Sequence, residues 1–273
     1  MKKFFVPLVL VLVILIPFFV LTQLIFKNLE KKVEKKAPVS IKEGTRTKVK
    51  YPEDFTIVLV GDSMTERLGN SDELRANLKK YYPGKTFEVL NYGFGSTNIL
   101  SVEKRLTEKT FYHREFRPIL DIAFEVLILE SFGNNPLSQL PLEQGLKKQT
   151  ETLDRVVGLI KKENPRSKIV FLATIAPNKF VFGKGVLDLS DQDRARWVGE
   201  RISYIKNHID YAKSHNIPLV NAYEESLTED GDGQVLYLSK DDFIHPSPNG
   251  IIFLSEQIAD SLYENKILEE DPK

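Results

Sequence analysis

The chain has 273 residues, no cysteine, a formal net charge of zero, 28% charged residues and 42% hydrophobic residues. This length can hold one domain with a proper core, and the mixture of apolar and charged residues is typical of globular protein. The lack of cysteine excludes disulfides, thiolate metal sites and cysteine nucleophiles, and the balanced charge gives no reason to expect nucleic acid as a partner.

The N-terminus is the most apolar part of the chain. After a short tail over residues 1–3, an uncharged run extends from Phe4 to Phe26. At about 1.5 Å per residue, such a run can cross a hydrocarbon core of about 30 Å. We expect a transmembrane anchor over 4–26, with the lipid bilayer as its partner. A cleaved signal peptide is the alternative, but the run is long for one and no small-x-small site follows it closely.

The next segment, residues 27–52, is rich in Lys and Glu and lacks apolar periodicity, which predicts a charged tether. The folded domain is expected over residues 53–268, followed by a frayed acidic tail over 269–273.

Within the domain, short apolar runs alternate with long amphipathic stretches. This alternation predicts an α/β fold in which helices cover both faces of a parallel sheet. Ligands of such sheets bind beyond the carboxyl ends of the strands. The predicted strands are 55–60, 87–91, 126–130, 169–174 and 218–221, and the predicted helices are 66–82, 142–163, 191–214 and 248–264.

Polar or glycine-containing segments follow the first three strands. Ser63 comes after the first strand and before a helical pattern, so its N–H could stabilise an oxyanion, although this segment alone favours a helix cap formed by Asp62 or Ser63. Gly93, after the second strand, could present a backbone N–H to a ligand or form a tight turn. Asn135, after the third strand, could donate an amide hydrogen bond or serve only in a turn.

A histidine with a nearby carboxylate precedes the last helix. Asp242 lies three positions before His245, so it can accept from the imidazole Nδ1–H and leave Nε2 as a base. His113, His208 and His215 lack this arrangement and are expected on the solvated surface.

The sequence resembles the SGNH hydrolases, also called GDSL-type esterases and lipases. The match consists of Ser63, Gly93, Asn135, Asp242 and His245, which come in the order of the family motifs. The resemblance covers about residues 55–265 and implies a flavodoxin-like three-layer α/β/α domain that hydrolyses esters without a cofactor or metal. It implies that Ser63 is the nucleophile, His245 the base and Asp242 its orienting group. The N–H groups of Ser63 and Gly93 and the amide of Asn135 would form the oxyanion hole.

Some positions differ from the family pattern. Met64 stands where the family has Leu, Ser96 stands where a second glycine is usual, and Pro136 replaces an Asp after Asn135. Pro136 could change how Asn135 is aimed. The loop over 178–190 is expected either to form a wall of the substrate cleft or to pack as an ordinary surface loop.

The anchor and the motifs together predict a membrane-anchored serine esterase acting on small or carbohydrate-linked esters, such as O-acetyl groups of cell-surface polysaccharide. An O-acyltransferase using the same acyl-enzyme and a non-catalytic binding domain are the alternatives. Five lysines follow the anchor and favour a cytoplasmic domain, but the resemblance favours an extracytoplasmic one, which we expect. The oligomeric state is not indicated.

Overall fold

The computed structural model describes residues 48–269. The predicted anchor over 4–26, the tether up to residue 47 and residues 270–273 of the predicted tail lie outside the described residues. Within the part that is described, no helix has the length and apolar character needed to span a bilayer.

The last residues of the predicted tether are packed against the domain. Val49 forms a parallel bridge with Ile122, and its N–H donates to the carbonyl of Asp121 at 2.8 Å. The Lys48 ammonium donates to the carbonyl of Glu163 at 2.7 Å. The contacts of the domain therefore begin before residue 53, because the backbone of this short segment is hydrogen-bonded to the segment around Ile122.

The centre of the domain is a parallel sheet. Its order is β2-β1-β5-β6-β7, which becomes 2-1-3-4-5, the flavodoxin-like order, when only the strands of this sheet are counted. The order reverses between β1 and β5, and ligands of such sheets bind at this switch point. The strands are β1 (Phe55–Gly61), β2 (Phe87–Gly93), β5 (Val126–Glu130), β6 (Lys168–Ala173) and β7 (Leu219–Asn221).

Seven helices surround the sheet in the described chain. Residues on alternate sides of β1, such as Ile57 and Val58, belong to two separate apolar clusters. Helices α3 to α5 contribute to the cluster of Val58, and α2 and α7 to that of Ile57, so the predicted parallel α/β architecture is confirmed. The helices are α1 (Ser63–Glu66), α2 (Asp72–Tyr81), α3 (Val102–Thr107), α4 (Leu142–Glu163), α5 (Asp191–Ser214), α6 (Ala222–Glu225) and α7 (Pro248–Glu264).

Two local features differ from the sequence expectation. The predicted helix over 66–82 is split into α1 and α2, because Gly69 and Ser71 have φ values of 54° and 59° and break the helical path. A small antiparallel hairpin, β3 (Thr110–Tyr112) and β4 (Arg114–Phe116), lies outside the main sheet and was not predicted.

The expectation that His208 is solvated is wrong. Its ring is fully buried, stacks on Phe171 with ring centroids 4.1 Å apart, and has Nε2 3.2 Å from the carbonyl of Leu129. Burial lowers the pKa of His208 to about 3, so the ring packs as a neutral core side chain. His113 is exposed in the hairpin turn.

Candidate active site

Ser63 is the first residue of α1 and follows β1 after a single intervening residue. Asp62 occupies the capping position, and its Oδ1 accepts from the N–H of Met64 at 2.8 Å. Because Asp62 performs the capping, the Ser63 hydroxyl is left for another partner. Among the described residues, the Ser63 N–H has no intramolecular acceptor, as expected at the first position of a helix.

His245 provides that partner. Its Nε2 lies 2.9 Å from Ser63 Oγ, and its Nδ1 lies 2.6 Å from Oδ2 of Asp242. In the tautomer with a protonated Nδ1, Asp242 accepts from His245 and Nε2 accepts the Ser63 hydroxyl hydrogen. The sequence-predicted Ser63, Asp242 and His245 are thus joined in one hydrogen-bonded series.

The loop before α7 orients this carboxylate. Asp242 Oδ1 accepts from the N–H groups of Ile244 and His245, at 2.8 and 3.0 Å. Partial burial raises the pKa of Asp242, but the hydrogen bonds from His245 and Ile244 outweigh it, so the pKa lies below its usual value. Asp242 therefore remains an anion at neutral pH, which favours a protonated His245 during proton transfer.

Asn135 is tied to the same loop as Ser63. Its Nδ2 donates to Oδ2 of Asp62 at 2.8 Å. A side-chain amide nitrogen carries two hydrogens, so one remains for a ligand. Asp62 therefore fixes both the first turn of α1 and the amide of Asn135, and Pro136 does not prevent this contact.

Gly93 does not present a free N–H. Its N–H donates to the side-chain oxygen of Asn91 at 2.8 Å, and a Cβ at this position would lie 2.2 Å from the backbone nitrogen of Glu66. Gly93 is required for close packing of β2 against α1. The hydrogen bond occupies the group that the sequence predicts as an oxyanion donor, so Gly93 is not available for that role.

The turn after Gly93 approaches the nucleophile instead. A Cβ on Gly95 would lie 3.6 Å from the Cβ of Ser63. The N–H of Gly95 donates to the hydroxyl of Tyr112 at 2.9 Å, whereas the N–H of Ser96 has no intramolecular acceptor among the described residues. Ser96 has a φ of 57°, in the left-handed region where glycine is favoured.

Two buried carboxyl groups lie behind Ser63. Asp62 is fully buried, and Glu130, the last residue of β5, is 1% exposed. Glu130 accepts from the Ser131 hydroxyl at 2.7 Å and from the N–H of Phe132 at 2.9 Å. Burial raises the pKa of both carboxyl groups, and the neighbouring Asp62 raises that of Glu130 further, so Glu130 favours the neutral acid.

Arg105 holds the ends of two strands together. This buried guanidinium donates to the carbonyls of Gly61 at 2.7 Å and Tyr92 at 2.9 Å, at the carboxyl ends of β1 and β2. It also donates to the hydroxyls of Thr97 and Ser101. Arg105 therefore links the Ser63 loop to the turn that contains Ser96.

The hairpin forms one rim of the site. A cavity of about 320 Å³ lies between the hairpin and α1 and is lined by Glu66, Tyr112, Arg114 and Phe116, among others. The Tyr112 hydroxyl donates to Glu66 Oε2 at 3.0 Å. Among residues 48–269, no group of three or more His, Asp or Glu side chains could hold a metal ion.

The loop over 178–190 has a mixed character. Phe182 is 1% exposed and packs in the interior, whereas Phe180 and Val186 are 62% and 56% exposed. A Cβ on Gly185 would lie 3.9 Å from the carbonyl of Asp241, so this loop borders the segment that carries Asp242.

A serine, a histidine and an aspartate aligned at the switch point of a flavodoxin-like sheet define a serine hydrolase architecture. The family comparison agrees, because the model of the GDSL-like lipase/acylhydrolase family matches residues 59–250. The chain belongs to this family and is an enzyme that acts on ester bonds, as its sequence predicts.

Solved structures with the same fold include a lipase/acylhydrolase from Enterococcus faecalis, with 15% identity and a TM-score of 0.55 over 77% of this chain and 96% of that one. They also include an acetylxylan esterase from Geobacillus stearothermophilus, with 15% identity and a TM-score of 0.53 over 78% of this chain and 96% of that one. At this identity the similarity concerns the fold. No curated protein sequence matches the chain significantly.

Sequence reasoning missed most of the supporting polar groups. The sequence motifs indicate Asp62 only as a possible cap and do not include Glu130, Arg105 or Tyr112. Glu130 carries a recognisable signal, because it ends an otherwise apolar strand that is buried on both faces. Arg105 and Tyr112 lie in a short helix and a hairpin whose positions follow only from the fold.

Proposed function

We propose that this chain is a membrane-anchored serine esterase that removes O-acetyl groups from carbohydrate at the cell surface. The observation that carries the catalytic part is the series from Asp242 through His245 to Ser63, with distances of 2.6 and 2.9 Å. A serine that only capped a helix would not require a hydrogen bond to a histidine that is itself oriented by a carboxylate.

In the first half of the reaction, Ser63 Oγ attacks the carbonyl carbon of the ester while His245 Nε2 takes the hydroxyl proton. Asp242 stabilises the imidazolium that forms. When the tetrahedral intermediate collapses, His245 gives the proton to the departing alcohol and the acyl group stays on Ser63. Water then attacks the acyl carbon while His245 Nε2 takes its proton. When this second intermediate collapses, the bond to Ser63 Oγ breaks, His245 returns the proton to Ser63 Oγ, and the carboxylic acid leaves.

The oxyanion is stabilised by three donors. These are the N–H of Ser63 at the start of α1, the second Nδ2 hydrogen of Asn135, and the N–H of Ser96 in place of Gly93. The assignment of Ser96 is supported by its unpaired N–H and by the proximity of the preceding glycine to Ser63.

The proposed substrate and the proposed location have separate support. The structural similarity to an acetylxylan esterase makes acetylated carbohydrate the first substrate class to test. The apolar run over 4–26 is the proposed anchor, with the catalytic domain on the extracytoplasmic side.

The test uses the full-length chain, purified in detergent, with p-nitrophenyl acetate and with acetylated xylan. We expect hydrolysis of both by the wild type and none above background by Ser63→Ala, with an unchanged far-UV circular dichroism spectrum. Labelling by a fluorophosphonate should require Ser63. Equal activity of the wild type and Ser63→Ala would refute the proposal, and acetyl transfer to an added sugar in preference to water would assign a transferase instead.

A further inference from the structure

A cavity that takes no part in the chemistry above lies between α5 and the segment that follows Asn135. It has a volume of about 550 Å³. Ser138 and Leu142, from the segment that follows Asn135, line one side, and Trp197, Glu200 and Arg201 of α5 line the other.

The cavity adjoins the Asn135 loop through direct packing. A Cβ on Gly133 would lie 2.2 Å from Ile205 Cγ1 and 3.3 Å from the carbonyl oxygen of Arg201. The loop that contains Asn135 therefore packs directly against α5 at the turn that contains Arg201. The cavity therefore shares a wall with the segment that carries the proposed oxyanion donor Asn135.

The guanidinium of Arg201 forms fewer hydrogen bonds than it has N–H donors. Nη1 donates to the carbonyl of Trp197 at 3.0 Å, within the same helix. Nε is buried and has no hydrogen-bond acceptor, and no carboxylate lies within ion-pair distance among residues 48–269. Nη2 forms no hydrogen bond among the described residues and is not buried, so its N–H groups, unlike the buried Nε, are available to a ligand in the cavity.

The surroundings of Arg201 preserve its position and charge. The guanidinium lies 4.8 Å from the ring centroid of Phe182 and 5.1 Å from that of Trp197. Burial lowers the pKa of Arg201, and the carboxylates of Glu200 and Asp62 act in the opposite direction. An arginine remains a cation in such a setting, and no carboxylate of the described residues forms an ion pair with it.

We propose that the cavity beside Arg201 is a subsite for an anionic group, a carboxylate or a phosphate, carried by the alcohol part of the ester. This proposal rests on the esterase function proposed above and narrows its substrate to acidic acetylated glycans. A guanidinium binds either anion through paired N–H donors. Glu200, on the wall of the same cavity, opposes binding of an anion and limits its affinity.

The test compares three matched substrates with the full-length chain: an O-acetylated methyl glucoside, the corresponding glucuronoside and the corresponding 6-phosphate. We expect kcat/KM to be about tenfold higher for at least one of the two acidic esters than for the neutral one, mainly through a lower KM. The two acidic substrates distinguish a carboxylate ligand from a phosphate ligand.

Variants assign the preference to the cavity. In Arg201→Gln, the ratio of kcat/KM between the acidic and neutral esters should fall to about one. Lys206→Gln is the matched control, because it removes a positive charge from an exposed position of the same helix outside the cavity lining, and it should keep the wild-type ratio. Glu200→Gln should increase the ratio, and this result does not depend on the folding of an Arg201 variant.

Different results would refute the anion subsite and the esterase function. If the wild type hydrolyses all three esters with equal kcat/KM, the anion subsite is wrong and the esterase function stands. The subsite is also wrong if Arg201→Gln keeps the preference or if Glu200→Gln leaves the ratio unchanged. If the wild type hydrolyses none of the three esters or p-nitrophenyl acetate, the esterase function is wrong and the subsite fails with it.

Discussion

Replacing Asn135 by alanine tests the site at its most informative contact. The change removes one proposed oxyanion donor, and it also removes the 2.8 Å hydrogen bond to Oδ2 of Asp62. Loss of one oxyanion donor lowers kcat by about 10²- to 10³-fold, or about 2.7–4 kcal/mol of transition-state stabilisation. KM should change much less, because the donor acts mainly on charge that develops in the transition state.

The same change should also reduce stability. Asp62 is fully buried, and its Oδ2 loses the Asn135 donor. A buried acceptor left without its partner costs about 1–3 kcal/mol. For a domain of this size, each kcal/mol corresponds to about 2–4 °C in Tm, so Tm should fall by about 2–12 °C. Calorimetry or circular dichroism measures this loss separately from activity.

Asn134→Ala is the matched control, because it truncates the neighbouring amide, whose Oδ1 has no hydrogen-bond partner in the described chain. We expect it to keep kcat within about threefold of the wild type. The role of Asn135 is refuted if Asn135→Ala also keeps kcat within that range, or if both variants lose activity equally.

Four substitutions at three further positions test other parts of the site. Asp242→Asn should lower kcat by about 10⁴-fold, because an amide N–H facing Nδ1 selects the tautomer of His245 that cannot accept the serine proton. Ser96→Gly should keep activity and raise the unfolding free energy by up to about 1 kcal/mol, because glycine adopts the left-handed φ without strain. Ser96→Pro removes the backbone N–H and should abolish most activity. Glu130→Gln should gain stability relative to the wild type as the pH rises above about 5, because the raised pKa of Glu130 makes the folded wild type bind a proton that the unfolded chain releases.

Each of these has a direct measurement. Steady-state kinetics against pH tests Asp242→Asn, and a loss below about tenfold would contradict the role of Asp242. Thermal unfolding and kcat together test the two Ser96 variants, and normal activity of Ser96→Pro would exclude this N–H as a donor. Tm measured across the pH range tests Glu130→Gln, and a constant difference from the wild type would show that Glu130 is ionised in the folded protein.

Sequence patterns predict helix boundaries accurately where features within the segment itself determine them. Helices α4, α5 and α7 begin and end where the sequence places them, because amphipathic periodicity and an N-cap such as Ser190 or Ser247 are encoded within each segment. The predicted helix over 66–82 was less accurate, because its interruption at Gly69 and Ser71 follows from the packing of a short first helix against β2.

The sequence by itself determined the parallel α/β class and the residues of the proposed Ser63, His245 and Asp242 series, since apolar runs and polar strand ends are local properties. Only the tertiary structure decided which N–H groups are free. Gly93 donates to Asn91, and Ser96 is left unpaired in a left-handed turn. Hydrogen-bond availability depends on partners that are distant in sequence or set by backbone geometry, so a motif can name a residue without revealing whether its donor is already used.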